Sequence, residues 1–217
     1  MASQSELRPR RHLSIAALIL AIILLFVVAA AIFIYTGGYN VGADVPHTKL
    51  VFGILEEVRD KSVESHARKV TAPSNLNDPR RIPAGAELYN EMCTGCHLGP
   101  GIERSELSQG IYPSAPELAS GDDLSPSEQF WVIKHGLKFT AMPAWGKTHD
   151  DELIWDLVAF IRQMPKMSAA QYKAAVASAP EGHEQMMEQM PGAKNEAGSK
   201  PPAPGTKAGG TGVKRPN

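Results

Sequence analysis

The sequence predicts a mostly α-helical protein: an N-terminal transmembrane helix, a small helical domain and a disordered C-terminal tail. Three observations carry this. Leu13 to Tyr35 is a run of 23 residues without a charge. Beyond it, apolar residues recur at helical spacing, and no apolar/polar alternation persists between turn markers, so strand signals are absent. From Ala179 the composition turns to Gly, Pro, Lys, Ala and Glu with almost no large apolar residue. Such a segment buries too little surface to offset the entropy of ordering it.

The elements follow in order. Residues 1–12 form a basic start with Arg8, Arg10 and Arg11. Residues 13–35 rise about 34 Å as a helix, enough to cross a bilayer core. A secretory signal peptide is the competing reading, but its apolar stretch is shorter, about 7–15 residues. The three arginines precede the helix, and the first lysine after it is Lys49. Positive charge stays in the cytoplasm, so the expected protein is single-pass in the inner membrane, its bulk in the periplasm.

Residues 36–83 read as a juxtamembrane helix and a linker. From His47 to Val70, Leu50, Ile54 and Val58 share one face at spacing four, with Val51 and Leu55 beside them. That stripe is expected to pack on the following domain, the other reading being a docking face for a membrane partner. Pro73, Pro79 and Pro83 punctuate an irregular linker from Ala72. Residues 84–166 form the compact domain. With its flanks it carries eight basic and twelve acidic residues, a balance of −4. Residues 167–217 read as a short helix from Ser168 to about Ala177, then the tail. The net charge of the chain, −1, offers no bulk attraction for nucleic acid.

The chemistry is concentrated in Cys93-Thr94-Gly95-Cys96-His97. Two thiols separated by two residues each form a thioether to one vinyl group of a haem, and the next histidine falls below the iron, so C-x-x-C-H reads as covalent haem attachment. A thioredoxin-like dithiol needs a βαβ context, which is missing. A zinc knuckle needs a second ligand pair, and His47, His66, His135, His149 and His183 are scattered without ligand spacing. The second iron ligand is expected to be Met142, 45 residues after His97, in the loop Ala141-Met142-Pro143-Ala144-Trp145. A His/Met pair fills both axial sites and raises the potential, and Pro143 stiffens the loop. The competing reading makes Met142 a gap-filling core residue. Met92, Met164 and Met167 are less well placed, before the attachment site or at the end of the last helix.

From Gly85 to Met164 the chain resembles a class I cytochrome c domain, nearest to the haem subunits of cbb3-type oxidases. The carriers of that resemblance are Gly85, Tyr89 and Cys93 in the first helix, Ala115-Pro116-Glu117-Leu118, and Asp156-Leu157-Val158-Ala159-Phe160 in the last helix. The anchor and the order of segments also resemble single-haem, membrane-bound bacterial cytochromes c. The resemblance implies that Gly85 permits a close crossing of the last helix, with Phe160 in the crossing and Leu157 against the haem. It also implies that the Pro116 carbonyl accepts the hydrogen bond of the proximal histidine, fixing its ring.

The expected cofactor is therefore one covalent haem c, held by Cys93, Cys96, His97, Met142 and Pro116, with His97 and Met142 on the iron. The expected function is one-electron transfer to redox partner proteins in the membrane or periplasm, with no small-molecule substrate of its own and no catalysis. Two alternatives stand beside it: a haem-based gas or redox sensor with an open iron site, and a fixed haem subunit of a membrane oxidoreductase. Lys134, Lys138 and Lys147 form either a basic collar for an acidic partner or a solvated face. His135 is either a propionate partner or an exposed helix end. Trp131 and Trp155 are expected in the core. In the tail, His183, Met186, Met187 and Met190 are soft donors of the kind that hold Cu(I), though a Met-rich tail needs no metal to exist.

Overall fold

The computed structural model describes residues 7–179. The tail from Pro180, with His183, Met186, Met187 and Met190, lies outside the described residues. The chain divides after Val51 into two compact units. In the first, α1 (Leu7–Tyr35) contains the apolar stretch Ile15–Tyr35, 21 residues with a mean hydropathy of 3.4, long and apolar enough to cross a membrane. The helix stops where Gly37 takes a positive φ and Thr36 donates its hydroxyl to the Ile32 carbonyl.

Then come α2 (Lys49–Ala67), α3 (Arg81–Met92), α4 (Thr94–His97), α5 (Glu106–Gly110), α6 (Pro126–His135), α7 (Asp151–Gln163) and α8 (Ala169–Ala177), with no strand among the described residues. The boundaries are written in the sequence as caps. Ser125 and Ser168 each close a capping box, with Glu128 and Gln171, and Asp150 accepts from the Leu153 amide.

The second unit is built on the crossing of α3 and α7. A Cβ on Gly85 would collide with the Asp156 carbonyl and lie 2.8 Å from Phe160 Cβ, so only glycine admits this approach. Around the crossing, Leu88, Tyr89, Ile154, Leu157, Val158, Phe160 and Met164 are fully buried. Phe130 of α6 stacks on Trp155 of α7 at 4.2 Å.

Three expectations are corrected. The stripe at spacing four on α2 is not the packed face: Ile54 and Val58 are 54% and 61% exposed, whereas Val63 and Ala67 are buried. A spacing of four drifts about 40° per step against a 3.6-residue turn. The helix is held instead at its C-terminal end, where the His66 ring lies tilted against Trp131 at 5.3 Å and, just past the helix, the Val70 carbonyl accepts from the Ser127 hydroxyl. Trp131 is half-buried between His66 and His135, its amphipathic ring bridging helices at the surface, while Trp155 is in the core. The stretch before α3 is pinned: Leu76 is in the core, Pro83 lies within α3, and Arg81 donates to the Asn75 carbonyl and side chain. The same guanidinium meets Asp156 at 2.5 Å and Glu152 at 2.9 Å.

Candidate functional site

Cys93 ends α3, and the chain turns at once into the single turn α4, where the His97 amide donates to the Cys93 carbonyl. The turn sets Cys93, Cys96 and His97 side by side. Cys93 is buried, Cys96 half-buried, and both thiols are free. Burial pushes the Cys93 thiol up to about 12. Ser105, which caps α5, donates its hydroxyl to the Gly95 carbonyl at 2.6 Å and so ties the middle of the turn to the next helix.

His97 Nδ1 lies 2.9 Å from the carbonyl oxygen of Pro116. Bonded this way, Nδ1 carries the proton and Nε2 is left as a lone-pair donor, the tautomer a metal ligand needs. Burial pushes the imidazole below its ordinary pKa, opposed by the bond to Pro116. Burial is the larger effect, and the lowered value suits a neutral ligand. Leu98, the next residue, has φ 57° and ψ −166°, a conformation costly for a branched side chain.

Met142 arrives from a separate loop, between α6 and the turn Trp145–Lys147. It is half-buried against the apolar cluster that contains Cys93, as is Trp145. Met164 is wholly buried in that cluster. Three bonds shape the Met142 loop. The Leu137 amide donates to the Met142 carbonyl, the Thr140 hydroxyl to the Leu137 carbonyl, and the Met142 amide to Thr140 Oγ1. Gly136 caps α6 with φ 64°, and a Cβ there would lie 2.7 Å from the Met142 carbonyl oxygen.

The donor set fits a covalently held haem: two free thiols on adjacent turns, an oriented imidazole nitrogen and a thioether on a second segment. Residues 80–161 match the family model of cytochrome c oxidase, cbb3-type, subunit III. The match supports a class I c-type cytochrome domain over this segment. Domains of this family bind haem c covalently and serve haem-based electron transfer. No curated protein matches the chain, and no solved structure does.

Around this donor set, sequence reasoning missed Gly136, Thr140, Ser105 and the strained Leu98. Gly136 had a readable signal, a glycine just past the last residue of α6. Thr140 bonds within its own loop, to Leu137 and Met142, and Ser105 caps α5 while reaching Gly95; neither forms a motif that marks the site. Of the three collar lysines, Lys134 is engaged with Asp151 at 2.5 Å and lies over the Phe130 ring. Lys138 and Lys147 are exposed, and His135 is exposed against Trp131.

Proposed function

We propose that this protein is a membrane-anchored electron carrier. It holds one covalent haem on the periplasmic side of α1 and passes single electrons between redox partners. The observation that carries the reading is the 2.9 Å bond between His97 Nδ1 and the Pro116 carbonyl, directly after two free thiols at C-x-x-C spacing. When bound, haem iron supplies a one-electron couple.

The chain's own residues do the rest. Cys93 and Cys96 tether the group, and His97 presents Nε2 to the metal while Pro116 fixes the ring. Met142 offers its sulfur from the loop held by Gly136 and Thr140. The buried cluster of Tyr89, Leu157, Val158 and Met164 keeps water from one side of the site. With His97 and Met142 both bound to the iron, no coordination site would be open to a substrate. Arg8, Arg10 and Arg11, ahead of the apolar stretch of α1, support an orientation with the N-terminal end in the cytoplasm.

A second reading has a specific observation behind it: the matched family is that of an oxidase subunit. On that reading the chain is a fixed haem subunit of a membrane complex. Mild detergent solubilisation separates the two. Recovery as a lone chain supports the carrier, and stoichiometric recovery with a membrane oxidoreductase supports the subunit. The haem itself is tested by the mass of the unfolded chain after acid extraction. The expected mass is that of the polypeptide plus one haem, and the mass of the bare polypeptide would overturn the proposal.

A further inference from the structure

The family match ends at residue 161, and α8 lies beyond it. Yet α8 reaches back to the haem-attachment turn. Its Tyr172 is 2% exposed. The ring meets Tyr89 edge-on at 6.5 Å and Phe160 at 5.9 Å, and the hydroxyl donates to Asn90 Oδ1 at 3.1 Å. Burial pushes that phenol up to about 12, so the donor proton is retained.

On the other side of Tyr172 runs the turn that follows His97. A Cβ on Gly99 would stand 3.3 Å from Tyr172 Cζ, and a Cβ on Gly101 would stand 2.6 Å from Ala169 Cβ. Both glycines thus face α8. Between His97 and these glycines sits Leu98, in its left-handed conformation, its carbonyl accepting the Tyr89 hydroxyl at 2.7 Å. A strained residue persists only where its surroundings over-determine it. Here the surroundings are Tyr89 on one side and, through Tyr89 and Gly99, Tyr172.

We infer that α8 is a latch that positions His97, with Tyr172 as its positioning residue, clamping the Leu98–Gly101 turn against α3. The inference rests on the haem reading above for its consequence, but not for its geometry. Tyr172 acts through Tyr89, Gly99 and Leu98; it is distinct from the C-x-x-C-H motif, Pro116 and Met142. By fixing the backbone on which His97 sits, the latch holds the ring in the plane set by Pro116.

The test uses the full chain with Tyr172→Ala, Tyr172→Leu and Tyr172→Phe. Amide hydrogen exchange is the first readout, because it does not depend on haem. Tyr172→Ala is expected to speed exchange at His97 and Leu98 about tenfold more than at α6 amides such as Ile133. Tyr172→Leu is expected to do the same to a smaller degree, and serves if the alanine variant does not fold. Tyr172→Phe keeps the ring against Gly99 and is expected to restore most of the protection. In the haem-loaded protein, the ring-proton resonances of His97 in the oxidised state and the midpoint potential should move with Tyr172→Ala and return with Tyr172→Phe. A uniform rise in exchange across the domain, with resonances and potential unmoved, would make Tyr172 an ordinary core residue and overturn the latch. A wild-type chain without haem would sink the electron-carrier reading instead, and the exchange pattern would still decide the latch.

Discussion

The two sides of the candidate haem site are held by different means. The His97 side is a product of the core. Its turn leaves α3, which crosses α7 at Gly85, and Tyr89 reaches from the same helix to the Leu98 carbonyl. The Met142 side is a loop shaped by its own hydrogen bonds, through Leu137 and Thr140, and by a glycine that leaves room for it. At its tip Phe139 is 78% exposed with φ 61°. The difference teaches that one candidate ligand is coupled to global stability and the other is not. Damage to the first side should unfold the domain; damage to the second should release a ligand from a folded one.

The largest effect should come from the crossing. Gly85→Val forces α3 and α7 apart at the Asp156 carbonyl and should cost more than about 3 kcal/mol, read as loss of cooperative thermal unfolding and of haem attachment together. If Gly85→Val folded with a native melting temperature, the coupling of His97 to the crossing would be wrong.

Next comes the ion pair that ties the chain before α3 to α7. Arg81→Met leaves Asp156, which is 17% exposed at its side chain, without its main partner. The cost should be about 3 kcal/mol at neutral pH. Burial already pushes the Asp156 carboxyl above its ordinary value, with Arg81 pulling it back. A carboxyl with a raised folded pKa favours the folded state below its unfolded value near 3.8, and that contribution is lost as pH rises through the folded value. The deficit of Arg81→Met should therefore shrink on acidification, when urea unfolding at about pH 7 is compared with about pH 5. A deficit independent of pH would remove Asp156 from the account.

These two features also show what the sequence could carry. The attachment motif at Cys93–His97 and the starts of α7 and α8 are local patterns, legible because caps, motif spacing and helical period are set by neighbours in the chain. The glycine at the crossing is legible only through the family resemblance, since its partners Asp156 and Phe160 lie far along the chain. Arg81 and Asp156 are 75 residues apart, and nothing near either announces the other. The α2 stripe misled for a related reason: apolar spacing shows that a face exists, not which face the tertiary fold uses. Leu98 is the extreme case, since no local rule places leucine at positive φ; only Tyr89 and the turn around it explain the conformation.

On the Met142 side the effects should be smaller and confined. Gly136→Ala puts a Cβ against the Met142 and Pro143 backbone at a positive φ, and should cost about 1–2 kcal/mol. Its signature should be loss of the far-red sulfur-to-iron band of the oxidised protein while the far-ultraviolet circular dichroism stays native. Thr140→Ala removes the acceptor of the Met142 amide and should cost about 1 kcal/mol, with the same band weakened or lost at a milder pH or temperature than in wild type. If either variant unfolded the domain as Gly85→Val does, the contrast between the two sides would collapse.

The most direct test of the central claim is the optical spectrum of the purified full chain, oxidised and then dithionite-reduced under inert gas, before and after carbon monoxide. The account predicts a c-type reduced spectrum, a weak far-red band when oxidised, and no response to carbon monoxide, because His97 and Met142 occupy both axial sites. Ready binding of carbon monoxide with no far-red band would contradict it and point to an open iron, as in a sensor.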